Sequence, residues 1–221
     1  MNTTLTQRRY RLGAHMFTRT ARSFLWWLIP GAALTFGISV VFADELEIGA
    51  WTITASVFQW FVAVSAGIVI HQIMPALVAT GLTRREITAG LGVFGALLCA
   101  ASVLFVAVGL FAEHALLAAV AEPPATLGET AGQAARYLLV TPLYCATGLL
   151  IGASEVRMRW RGYQLPVVFA TAILLGGACM WLEYAQPWTL VSTVAGLALF
   201  AGTATAFALC MLGAPIHAKR A

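Results

Sequence analysis

Charge is what this chain lacks most. Of its 221 residues only 10% are Asp, Glu, Lys or Arg, against roughly 25% in a soluble globular domain. A soluble fold of this length would have too little charge to cover its surface. The same scarcity excludes disorder and leaves no broad cationic surface for nucleic acid. Lysine occurs once, at Lys219, so there is no GxxxxGK[ST] loop to hold nucleotide phosphate. No HExxH is present for a metalloprotease, and no Ser and His stand at matching depth in different apolar stretches. With no convergent catalytic set, the chain is not expected to be an enzyme. The four cysteines, Cys99, Cys145, Cys179 and Cys210, show neither CxxC spacing nor a cysteine–histidine cluster. They read as small apolar packing residues, not as disulfides or zinc ligands. The basic N-terminal region lacks a small-residue cleavage pattern and is not expected to be a removable leader.

What is abundant is apolar. Hydrophobic residues make up 60% of the chain, and the mean hydropathy is +0.84. A helix needs about 20 apolar residues to cross a bilayer. Six charge-free stretches fit, at 24–43, 51–80, 87–112, 137–153, 163–182 and 188–212. The fourth is the shortest and carries Pro142; Pro30 and Gly31 are expected to kink the first. No Asp, Glu, Lys or Arg lies inside these boundaries. His71 is the one histidine within a stretch, and no acid is expected beside it in the membrane. That argues against the proton or ion relay that coupled carriers build from intramembrane charges.

The placement of the basic residues orients the six spans. Arg8, Arg9, Arg11, Arg19 and Arg22 precede the first. Arg84 and Arg85 follow the second, Arg157, Arg159 and Arg161 follow the fourth, and Lys219 and Arg220 follow the sixth. Only Arg136 falls on the other side, where most of the acids gather. Lys and Arg concentrate in cytoplasmic loops, so both termini are expected in the cytoplasm. Within residues 5–24, Tyr10, Ala14, Phe17, Ala21 and Phe24 fall on one helical face. Arg8, Arg11, His15, Arg19 and Arg22 fall on another. This predicts a basic amphipathic helix lying on anionic membrane lipid and turning sharply into span one as an elbow.

The spans also hold small and weakly polar stripes. Gly148 and Gly152 form a GxxxG; Ala198, Gly202 and Ala206 repeat at four-residue spacing. Thr52, Ser56, Gln59, Ala63 and Gly67 line one face of span two. Such faces serve ordinary bundle packing, or, for Thr52, Ser56 and Gln59, a pathway or a seam between subunits.

The turn after span two reads VATGLTRREITAGLG. Thr83 and Glu86 are spaced to form a capping box on the following helix. With Gly81, Arg84 and Arg85, this "GxTRR" turn resembles that of small six-span permease subunits of bacterial ABC transporters related to the ABC-2 exporter group. Glu113 after span three resembles an acid of that family. The segment with Gly152, Arg157, Arg159, Trp160, Arg161 and Gly162 resembles the family's "RWG" loop, except that Arg161 is interposed. The resemblance implies an all-α integral membrane fold of the ABC-2 type. An elbow at 1–23 leads into a six-helix transmembrane domain at 24–213 and a short basic tail at 214–221. It implies a permease in the bacterial inner membrane, an exporter of an amphipathic drug, peptide or lipid. The turn at Gly81–Glu86 would dock on a separate ATP-binding subunit. That subunit would carry ATP and Mg, and this chain no cofactor. A second copy or a homologous permease would complete the pathway. The alternative is a non-transporting membrane scaffold that recruits a cytoplasmic partner through its basic elbow and loops.

Overall fold

A computed structural model of the chain describes residues 2–42, 49–120, 125–158, 164–185 and 187–213. It contains six helices: α1 (Asn2–Val41), α2 (Ala50–Ala79), α3 (Arg84–Val120), α4 (Leu127–Met158), α5 (Gln164–Tyr184) and α6 (Leu190–Gly213). There is no strand among the described residues. All six helices are long and apolar enough to cross a membrane, which makes this a multi-pass membrane protein by helix length and composition.

Local chemistry starts the helices. At α3 the Thr83 backbone N–H and hydroxyl donate to Glu86 Oε2 at 2.9 and 2.8 Å, and the Glu86 N–H donates to Thr83 Oγ1 at 3.3 Å. This reciprocal capping box satisfies donors that an α-helix cannot bond internally. The same box recurs at α4 with Thr126 and Glu129. Thr189 and Ser192 make a shorter version at α6.

Cross-helix contacts give the directions. Gly13 lies against Gly90 and Gly49 against Glu113, while Ser39 bonds to Glu113, so α1 and α3 run the same way. Gln133 reaches Thr52 and Gly152 lies on Gly67, so α2 and α4 are parallel. Thr35 pairs with Thr54 and Phe24 with Phe61, so α1 and α2 are antiparallel. Arg84, Arg85 and Arg157 therefore share one end of the bundle, and Glu113, Glu129 and Glu183 lie toward the other.

The N-terminal segment and span one belong to one continuous helix, Asn2–Val41. At about 1.5 Å per residue it is about 60 Å long. Its N-terminal half packs closely on α3, where a Cβ on Gly13 would meet Gly90 O at 2.6 Å. Met16, one turn on, is buried among Ile70, Met74, Ile87 and Leu91. Of the expected apolar face, Phe17 packs against this cluster and Phe24 against Phe61, while Tyr10 at its start is 60% exposed. Helix α1 continues through Pro30.

The fourth span, the shortest in the sequence reading, forms a 32-residue helix that continues through Pro142. It is the central helix and packs on α2, α3, α5 and α6. The charges that bounded the apolar run did not end the helix, because the backbone outside the hydrocarbon layer satisfies itself helically just as well.

The core has two layers. Toward the arginine-bearing end, α1, α2, α3, α4 and α6 bury Met16, Ile70, Met74, Leu91, Phe94 and Met211. Toward the other end the cluster is built around Trp51, Tyr137, Leu143 and Tyr144. The GxxxG of α4 makes the closest approach. A Cβ on Gly148 would lie 1.9 Å from Ala63 O, and one on Gly152 would lie 2.6 Å from Gly67 O. Backbones in contact maximise dispersion attraction where no hydrophobic force holds helices together. The motif is thus used within one chain.

Candidate functional site: the arginine turn and the polar seam

The turn between α2 and α3 is built tightly. Gly81 has φ +77°, a left-handed conformation that costs other residues roughly 1–2 kcal/mol. It ends α2 in a Schellman arrangement, with Leu82 N–H donating to Leu77 O at 3.4 Å. The capping box at Thr83 follows at once. Arg84 then reaches across the bundle end and donates from Nη1 to Leu212 O at 2.8 Å. It satisfies one of the carbonyls that the C-terminus of α6 leaves open. Arg85 is exposed. The turn thus links the ends of α2, α3 and α6 and presents Arg85 outward.

The other basic groups named from the sequence divide. Arg157, in the last turn of α4, points to α6, with Nη1 3.9 Å from Cys210 Sγ and its guanidinium against Gly213. Arg159, Trp160 and Arg161 lie outside the described residues. Arg11, Arg19 and Arg22 are exposed on α1, and Arg8 belongs to the same helix.

The weakly polar stripe of α2 faces α4 and α5 of its own chain. Thr52 Oγ1 accepts from Gln133 Nε2 at 3.0 Å, and Ser56 Oγ lies 2.8 Å from Tyr184 Oη. Ser56 and Gln59 are buried within the chain. Close by in register, Tyr144 donates to Glu183 at 2.8 Å and Tyr137 at 3.4 Å. Below this network, Gln59 and Thr141 are wholly buried. Neither amide atom of Gln59 nor the hydroxyl of Thr141 has a hydrogen-bond partner among the described residues.

Three acids make contacts that sequence reasoning did not foresee. Glu113 lies inside α3, is 5% exposed, and accepts the Trp51 N–H at 2.9 Å and the Ser39 hydroxyl. Glu183 closes the tyrosine cluster at the end of α5. Glu155 lies on α4 and pairs with His71, Nδ1 to Oε1 3.1 Å. His71 therefore has the acidic partner that the sequence reading denied it. The signal was the length of α4: once that helix runs past Ala153, Glu155 comes level with His71 across the parallel α2–α4 seam. The four cysteines are free thiols.

No family model matches the chain, and no curated protein or solved structure matches it.

Proposed function

We propose that this chain is the membrane-spanning permease subunit of an ATP-driven exporter in a bacterial inner membrane, with both termini in the cytoplasm. A separate ATP-binding subunit docks on the Gly81–Glu86 turn and carries the nucleotide and Mg. A second copy, or a related permease, completes the assembly around an amphipathic substrate.

The observation that supports this reading is the construction of the turn. A left-handed glycine, a capping box and the Arg84–Leu212 bond leave it no slack. A push on such a turn moves α2, α3 and α6 together, whereas a floppy loop would absorb it. Exposed Arg85 supplies a contact for an acidic cleft on the partner. The absence of a phosphate-binding loop in this sequence assigns hydrolysis to that partner.

The test is co-expression with candidate ATP-binding chains, followed by co-purification and ATP turnover in vesicles. Arg85→Glu is expected to lose the partner or uncouple its turnover while the permease remains folded. If the purified chain moves its substrate with no ATP-hydrolysing partner, or if Arg85→Glu leaves assembly and turnover intact, the reading fails.

A further inference from the structure

We propose that the groove between α2, α4 and α5 binds one phospholipid with an ethanolamine-type headgroup, its ammonium on the His71–Glu155 pair and one chain along the helices. The groove has a volume of about 440 Å³. Trp60 closes one end, edge-on to Tyr144 with ring centroids 5.4 Å apart and against Gly176 of α5. His71, Glu155 and Gln72 form the other end. From Trp60 to His71 is eleven residues of α2, or about 16 Å. Between these ends the walls are apolar, with Val64, Ile68 and Ile151 over a floor of glycines and Ala172. Val64 and Ile68 are exposed on the outside of the bundle, so the slot opens sideways to lipid.

The polar end selects the headgroup. His71 and Glu155 are 43% and 40% exposed, so their pairing leaves further hydrogen-bonding capacity facing the slot. An imidazole that donates from Nδ1 keeps Nε2 as an acceptor. The carboxylate keeps its second oxygen as well. With the imidazole neutral, the pair offers two acceptors and the charge of the carboxylate. Arg157, the described base nearest in sequence on α4, is turned away to Cys210. A primary ammonium supplies three N–H donors to this end. A choline headgroup supplies none, and an anionic headgroup meets like charge. The exposed amide of Gln72 sits at the same end to donate to the phosphate. This inference goes beyond the transport reading and needs neither ATP nor a partner chain.

The test is native mass spectrometry of purified, delipidated protein titrated with phosphatidylethanolamine, phosphatidylcholine and phosphatidylglycerol of identical chains. Ethanolamine lipid is expected to be retained about tenfold over choline lipid, as charge-assisted hydrogen bonds imply. Combined His71→Leu and Glu155→Gln is expected to bring it down to the choline level. Ala172→Leu, which fills the slot from α5, is expected to lower retention without touching the polar pair. Should Ala172→Leu fail to fold, the half-exposed Glu155→Gln variant alone decides. Equal retention of the ethanolamine and choline lipids, tighter binding of the glycerol lipid, or a preference that survives Glu155→Gln overturns the proposal. Ethanolamine selectivity in a chain that recruits no ATPase keeps this proposal and removes the transport reading. Coupled ATPase activity without selectivity does the reverse.

Discussion

Glu113, on α3, caps α2: its carboxylate accepts the Trp51 backbone N–H at 2.9 Å. Helix α2 begins at Ala50, after Gly49, and neither residue has a side chain able to accept an N-terminal N–H. The cap is therefore supplied by another helix, and negative charge there also favours the helix dipole. Trp51 is locked further. Its indole N–H donates to Val106 O at 3.1 Å, its ring stacks on Phe36, and the ring fills the space above Gly109. Glu113→Ala leaves the Trp51 N–H and the Ser39 hydroxyl without this acceptor and is expected to destabilise by about 2–3 kcal/mol. Glu113→Gln keeps an acceptor oxygen and is expected to cost about half as much. Thermal unfolding of both variants in detergent checks the order.

The Gly81 turn makes an opposite pair of predictions for two glycines. At Gly81 there is open space around an added Cβ, but φ is +77°, so Gly81→Ala is expected to cost about 1 kcal/mol through backbone strain alone. At Gly92, inside α3, an added Cβ also meets nothing and no positive φ is recorded. There Gly92→Ala is expected to stabilise by about 0.5–1 kcal/mol. Unfolding midpoints moving in the same direction would contradict this account of the turn.

Gly148 is expected to tolerate nothing larger. A Cβ would lie 1.9 Å from the Ala63 carbonyl oxygen, and backbone cannot yield as a flexible side chain does. Gly148→Ala is expected to cost about 3 kcal/mol, the upper range of overpacking, and to reduce the yield of monodisperse protein. A crosslink between cysteines introduced at Thr52 and Gln133, remote from this contact, reports whether α2 and α4 have separated.

Gln59 is expected to be worth less than nothing to stability. Its amide is buried without a partner, so Gln59→Met, of similar volume, removes an uncompensated polar group. A gain of about 1–2 kcal/mol is expected. Unfolding in detergent measures it, and a loss of stability would mean that the amide is hydrogen-bonded in the working protein.

Arg84 and Arg85 are adjacent but unequal. Arg84→Ala frees the α6 carbonyl at Leu212 and is expected to destabilise by up to about 1 kcal/mol, discounted because the pair is exposed. Arg85→Ala is expected to leave the midpoint unchanged and to act only on partner binding. Parallel unfolding and co-purification measurements separate the two roles.

Much of this architecture follows from composition and short-range pattern. Six apolar runs of bilayer length and the Thr83–Glu86 spacing are local properties. A helix in lipid has to satisfy its own backbone, so length and hydropathy alone dictate it. The box at Thr126 and Glu129 was equally readable, since T-x-x-E carries its meaning wherever it starts a helix.

What tertiary structure decided is which groups meet. That the N-terminal part of α1 packs on α3 rests on Gly13 meeting Gly90, a contact 77 positions away. Whether Glu113 is a loop acid or a buried cap depended on α2 starting beside it. The His71–Glu155 pair and the groove above it exist because α2 and α4 run parallel at backbone contact. Hydropathy is a sum over neighbours along the chain and is blind to such pairings. Each of them is fixed instead by the shape of two helix surfaces, and so by residues far apart in sequence.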